Sequence, residues 1–332
     1  MHTTEPRRSG RGRDAVRLPG ASRSGNRAAR RRRTPRYALS AVTALLVTGC
    51  VWIAATAPLT RPEPLAARRT VAAASADPGG RSHTHWRQAG PNRVEHLRVK
   101  VLETLPHDPK SFTQGLEMTG GTLYEGTGLS GQSSVRYGAP GTPPMARVGL
   151  TSPLFGEGIT LMGRTLWQLT WRDRIAIERD ATTLREVRRL PYPDEGWGIC
   201  FDRLKRRLVT SDGSAQLTFR DPRTLAKAGE VTVTEDGRPV ARVNELECAD
   251  RAVYANVLFT DRVVRIDPLT GVVTASIDAS GLLHAAELVP GSTLNGIAAV
   301  PGTDQFLLTG KFWPKMFRVA LVPAQPPSRA AR

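Results

Sequence analysis

Between Leu123 and Gly310 the chain repeats itself. Five short apolar-polar segments read Leu123-Tyr124-Glu125-Gly126-Thr127, Leu166-Trp167-Gln168-Leu169-Thr170-Trp171, Leu208-Val209-Thr210-Ser211-Asp212, Val253-Tyr254-Ala255-Asn256-Val257 and Phe306-Leu307-Leu308-Thr309-Gly310. Their first residues lie 43, 42, 45 and 53 apart. A second set follows the middle three: Arg179-Asp180-Ala181-Thr182-Thr183-Leu184, Arg220-Asp221-Pro222-Arg223-Thr224-Leu225 and Ile266-Asp267-Pro268-Leu269-Thr270-Gly271. An aspartate followed by Pro or Ala and then Thr is turn chemistry, because the carboxylate accepts backbone N–H bonds two residues on. Short alternating runs punctuated by such turns, with almost no helical periodicity from Arg98 onward, predict an all-β fold. Units of 40 to 50 residues carrying about four strands each are propeller blades, and five of them fill residues 98–322. The expectation is a five-bladed β-propeller over residues 97–322.

A third set precedes each unit: Phe112-Thr113-Gln114-Gly115-Leu116, Phe155-Gly156-Glu157-Gly158-Ile159, Glu195-Gly196-Trp197-Gly198-Ile199, Val243-Asn244-Glu245-Leu246 and Leu294-Asn295-Gly296-Ile297. As the first strand of each blade it would line a central channel, with Gln114, Glu157, Trp197, Asn244 and Asn295 at equivalent positions around one cavity. Glycine beside a polar residue fits a place where backbones crowd together. Strand alternation would send Phe112 and Phe155 to the same side as Gln114 and Glu157.

The net charge of +17 suggests nucleic acid until it is mapped. Residues 1–36 hold 12 arginines against Glu5 and Asp14, a net +10, which leaves +7 scattered over the other 296 residues. The basicity is therefore mostly a tail, expected to be disordered, and no nucleic-acid partner is expected. Residues 37–59 are uncharged, apolar and long enough to cross a membrane, and positive charge before such a run is an export signal. Three readings stand: an uncleaved anchor, a lipoprotein signal with its lipobox ending at Cys50, or a cleaved signal. All three place the remainder outside the cytoplasm. Residues 60–96 read as a linker and 323–332 as a disordered tail. His83-Thr84-His85 in the linker has no further ligand at metal spacing, so no metal or other cofactor is expected. Cys200 and Cys248 could pair in an oxidising compartment, but two buried thiols are the expectation.

A polar group in a propeller channel by default binds ordered water. Glu157 departs from that, since a carboxylate crowded by Phe155 and tryptophans loses hydration and its pKa rises toward the acid/base range. Lys311, at the end of the last repeat, could hold a developing oxyanion. No nucleophile elbow, phosphate loop or dinucleotide fingerprint is present. One carboxylate, side-chain amides, a lysine and indoles suit proton shuttling and carbonyl polarisation on a small amide.

These motifs carry a resemblance. His107-Asp108-Pro109, the five channel segments and, interleaved with and following them in chain order over residues 98–320, Gln168-Leu169-Thr170-Trp171, Ser211-Asp212-Gly213-Ser214, Arg265-Ile266-Asp267-Pro268 and Thr309-Gly310-Lys311-Phe312-Trp313-Pro314 resemble the plant-type glutaminyl-peptide cyclotransferases, or glutamine cyclotransferases. The resemblance implies a propeller enzyme that converts N-terminal glutamine of peptides and proteins to pyroglutamate with release of ammonia, without the zinc of the animal-type enzyme. It implies Glu157 as acid/base, Asn244 and Gln114 holding amine and carboxamide, and Lys311 on the oxyanion. Trp171, Trp197, Phe112 and Phe155 would clamp the glutamine side chain, with Asn295 beside them. The family's fourth-blade tryptophan is Leu258 here, and Phe259 would point the other way. A membrane-attached monomer acting on Gln-initiated peptides is the leading expectation. A non-catalytic propeller binding peptide N-termini or sugars at the same mouth is the alternative.

Overall fold

The computed structural model describes residues 93–324. Apart from one short 3₁₀ turn at Ala285–Glu287, its regular elements are all strands. The basic tail, the apolar segment 37–59, the linker histidines and residues 325–332 of the expected C-terminal tail lie outside the described residues, while Pro323, expected to open that tail, ends the strand Lys315–Pro323. Among the described residues no helix is long and apolar enough to cross a membrane.

Three sheets have four antiparallel strands each, in chain order. They are Thr113–Thr119, Thr122–Thr127, Ser134–Gly138 and Ala146–Gly149, then Gly156–Met162, Thr165–Thr170, Ile175–Asp180 and Glu186–Pro191, then Ile199–Asp202, Arg207–Thr210, Gln216–Arg220 and Lys227–Thr232. Thr234–Glu235 and Arg238–Pro239 form a small two-stranded sheet, and a larger eight-stranded sheet holds the rest. In it, Glu95–Pro106 pairs in parallel with Val273–Asp278 and antiparallel with Lys315–Pro323, so the first described strand joins chain segments from near the end. That strand begins two residues ahead of the expected boundary at 97.

The first strand of each set packs against the next. Thr113–Thr119 touches Gly156–Met162, which touches Ile199–Asp202, then Val243–Ala249, then Thr293–Ala299, which returns to Thr113–Thr119. These strands are buried almost throughout, whereas an outer one such as Glu186–Pro191 is mostly exposed and carries Glu186, Arg188 and Arg189. Charge on an outer edge discourages pairing with another sheet.

Apolar residues fill the spaces between neighbouring sheets. Tyr124, Val135, Ile159, Leu161, Leu166 and Leu184 form one such layer, and Trp167, Leu169, Tyr192, Ile199, Leu208 and Leu225 the next. The expected turns form as the aspartates dictate. Asp180 Oδ1 accepts from the Thr182 and Thr183 amides at 3.1 and 2.8 Å, and Asp221 Oδ1 from those of Arg223 and Thr224 at 2.9 and 2.8 Å.

Cys200 and Cys248 correct the expectation of two thiols. They form a disulfide with Cα atoms 5.4 Å apart, tying the third and fourth inner strands together. Spacing along the sequence, 48 residues, gave no sign that neighbouring inner strands would bring them side by side.

Candidate active site

Four of the five equivalent ring positions sit where the strand ladder slips. Pairing of the first two strands of a sheet shifts between Thr113 and Gly115, between Gly156 and Ile159, between Val243 and Leu246, and between Leu294 and Ile297. Gln114, Glu157, Asn244 and Asn295 occupy the irregular residues. A bulge re-aims a side chain that regular alternation would send elsewhere. Trp197 lies just before its strand, which starts at Ile199. Phe112 and Phe155 also precede their strands, so alternation is not what groups them with the polar residues. Contact does: the Phe155 ring and the Gln114 side chain both crowd the space in which a Cβ on Gly128 would stand.

The glycines of these motifs have the steric role that the sequence suggested. A Cβ on Gly115 would lie 2.6 Å from the Ile159 nitrogen, and one on Gly158 would lie 2.6 Å from the Trp197 carbonyl oxygen. Gly158 N–H donates to that same carbonyl at 2.8 Å. Inner backbones thus approach to hydrogen-bond distance, which only glycine permits there.

Packed this closely, the ring side chains form a directed relay. Asn244 Nδ2 donates to Asn295 Oδ1 at 2.7 Å, Asn295 Nδ2 donates to Gln114 Oε1 at 3.4 Å and to the Thr113 carbonyl at 2.9 Å, and Gln114 Nε2 donates to Glu157 Oε1 at 2.9 Å. Every amide in the series donates toward Glu157. Asn295 is fully buried with both ends of its amide engaged.

Burial pushes the Glu157 carboxyl well above the usual carboxylate range; the Lys311 charge opposes this and the Glu195 charge adds to it. Burial also pulls Lys311 down to about 8, with the Glu157 charge opposing. The Lys311 ammonium stands 4.6 Å from the Phe112 ring centroid, a cation–π contact. Burial thus disfavours the charged form of both groups, making the carboxyl a weaker acid and the ammonium a stronger one.

Aromatic rings surround this pair. Phe112 meets Phe155 edge-on at 6.0 Å between centroids, and Phe155 lies 5.5 Å from Trp171. The Trp197 ring fills the space above Gly213. Two residues to which the sequence reading assigned no role complete the rim. Glu195 Oε2 accepts from both indoles, Trp171 Nε1 at 3.1 Å and Trp197 Nε1 at 3.4 Å. Phe312 packs 5.1 Å from Phe112 and holds a positive φ of 60°, rare for a bulky residue, where its N–H reaches the Ser111 carbonyl at 2.7 Å. Their only sequence signal was a place inside the motifs around Trp197 and Lys311. Leu258 is buried and Phe259 is 72 % exposed, so Phe259 supplies no aromatic wall in place of the family's tryptophan.

Comparison with known proteins bears on what this site does. The family model described as glutamine cyclotransferase matches residues 71–321. A glutaminyl-peptide cyclotransferase of Arabidopsis thaliana is 36% identical over 230 residues, covering 67% of this chain and 71% of the relative. The crystal structure of the Myxococcus xanthus glutaminyl cyclase superposes with a TM-score of 0.67 at 36% identity, covering 70% of this chain and all of that one.

Proposed function

The chain belongs to the glutamine cyclotransferase family and is a glutaminyl-peptide cyclotransferase, and on that premise we propose how its own residues carry out the reaction. The observation that carries the mechanism is the relay ending on Glu157 Oε1. With Gln114 donating to Oε1, the proton of the carboxylic acid form belongs on Oε2. Ionised Glu157 takes a proton from the neutral α-amine of the substrate at Oε2 as the amine nitrogen bonds to the γ-carboxamide carbon. The carbonyl electron pair moves onto oxygen, beside the Lys311 ammonium. The intermediate collapses, the carbon–nitrogen bond of the former carboxamide breaks, and Glu157 returns its proton to the departing nitrogen. Pyroglutamate and ammonia result, and the carboxylate is regenerated.

Asn244 Oδ1 accepts from the α-amine, and the second Nε2 hydrogen of Gln114 reaches the carboxamide. Phe112, Phe155, Trp171 and Trp197 hold the glutamine side chain curled. The reaction is intramolecular, so fixing that shape removes most of the orientational cost.

The architecture we propose is a five-bladed propeller. It is supported by five four-strand sets, the closed circuit of first strands and the five-fold motif series. We propose further that the enzyme is an exported monomer, attached to the membrane or secreted according to the fate of residues 37–59. The disulfide supports an oxidising compartment, since such bonds persist there and are rare in the cytosol.

The test is ammonia release from a Gln-initiated peptide by the purified protein. Turnover with conversion of the N-terminus to pyroglutamate is expected. Calorimetric binding of the peptide without turnover would replace this reading with the non-catalytic one.

A further inference from the structure

The mechanism above leaves unused a cluster of four charged groups, of which His107, Glu125 and Arg136 are largely buried and Asp108 is partly exposed. His107 has a side chain only 4 % exposed, and Glu125 beside it 6 %. His107 Nδ1 lies 2.7 Å from the Trp313 carbonyl oxygen and Nε2 lies 3.2 Å from Glu125 Oε1. A carbonyl oxygen never donates. Glu125 has both oxygens occupied as acceptors: its Oε2 accepts from Arg136 Nε at 2.8 Å and Nη2 at 2.6 Å, and its Oε1 accepts from Thr113 Oγ1 at 2.8 Å. Both ring nitrogens of His107 therefore face acceptors, and both must carry hydrogen.

The groups around the ring close the charge balance. Arg136 also reaches Asp108 Oδ2 at 3.2 Å and Ser111 Oγ at 2.7 Å. Imidazolium, Glu125 carboxylate, Arg136 guanidinium and Asp108 carboxylate alternate in sign and sum to zero, the condition under which a buried charge is tolerated. The cluster lines a cavity of about 370 Å³ that includes Tyr137, Pro144 and Met316 and none of the ring positions.

The two segments that this histidine joins carry much of the proposed catalytic set. His107 N–H donates to the Pro314 carbonyl at 2.9 Å and Phe312 N–H to the Ser111 carbonyl at 2.7 Å, so residues 107–111 and 312–314 lie zipped together. Phe112 and Gln114 continue from one segment and Lys311 precedes the other. Thr113, bonded to Glu125, is the immediate neighbour of Gln114.

We propose that His107 is a positioning residue of the cyclisation, kept as the imidazolium in the resting enzyme, whose two opposed N–H bonds fix the Lys311 segment against the Phe112–Gln114 segment. Loss of one ring proton turns a lone pair toward either Trp313 O or Glu125, and one of the two side-chain ties is lost while the backbone bonds remain. Hydrogen bonds to Glu125 and Trp313 raise the His107 pKa against the effect of its burial, in keeping with this role. The inference rests on the cyclase reading for its consequence, but the charge state of the ring can be measured without it.

Nitrogen-resolved NMR of the histidine rings in the full chain, with His107 assigned by the signal missing from His107→Gln, is the first arm. Both His107 nitrogens should be protonated at pH 7.5, where ordinary histidines are mostly neutral. In the second arm His107→Gln, which cannot donate in two opposed directions, should lose kcat by roughly tenfold to a hundredfold with KM little changed and the fold intact. A neutral His107 ring at pH 7.5, or a folded His107→Gln with unchanged kcat, overturns the proposal. Should the variant fail to fold, His107 is assigned by selective labelling and the wild-type ring spectrum decides. Absence of turnover in the wild-type chain would instead overturn the cyclase reading.

Discussion

Gln114 Nε2 donates to Glu157 Oε1 at 2.9 Å across two neighbouring inner strands, and in the proposed mechanism this bond leaves Oε2 to handle the proton. The donor favours the ionised carboxylate, so its removal raises the pKa of Glu157 further. Gln114→Leu should therefore move the acidic limb of the kcat/KM profile to higher pH by roughly one unit or more, the scale of a hydrogen bond to a charged group. A limb that stays in place would mean that Glu157 does not titrate in the working range.

Lys311 sets the opposite limb. It must be protonated to meet the oxyanion, and burial holds it at about 8, so kcat/KM should fall as pH rises through that value. Lys311→Arg keeps a cation that stays protonated throughout the working range, at a different shape. That variant should be slower but should lose the fall near pH 8. A pH profile of the two proteins checks this.

Gly158→Ala should cost about 1–3 kcal/mol, because its Cβ would meet the Trp197 carbonyl oxygen at 2.6 Å and neither backbone can yield. Gly121→Ala, with nothing within 4 Å and an ordinary φ, should stay within about 0.5 kcal/mol of wild type. Thermal melts of the two variants separate the steric account from a general intolerance of the turns and strands to substitution.

Cys200→Ser with Cys248→Ser should lower stability by about 2–4 kcal/mol, since the bridge closes a loop of 48 residues in the unfolded chain. The wild-type protein without reductant should show no free thiol at either position by mass mapping. Two free thiols and an unchanged melt would remove the bridge from the account.

Much of this arrangement was legible beforehand because repetition exposes it. Strand order, Asp180 and Asp221 as turn aspartates, and a ring of Gln114, Glu157, Asn244 and Asn295 all follow from aligning units with one another. The side-chain directions did not follow. Regular alternation cannot foresee a bulge, and the bulges are where Gln114 and Glu157 turn toward each other. Asn295 was expected among substrate contacts, yet its amide is consumed by Asn244, Gln114 and Thr113. Glu195 went without a role because its partners flank different sheets, Trp171 after the strand Thr165–Thr170 and Trp197 before the strand Ile199–Asp202. Cys200 and Cys248 stayed ambiguous because a sequence carries no distance between inner strands.

The proton carried by Glu157 is the centre of the mechanism. Glu157→Gln keeps the shape and a polar end in the relay but removes the acid/base group. Steady-state ammonia release from a Gln-initiated peptide, measured beside wild type at equal folded concentration, should fall by about 10²–10⁴-fold in kcat with peptide binding retained. A Glu157→Gln protein that releases ammonia at the wild-type rate would contradict the account.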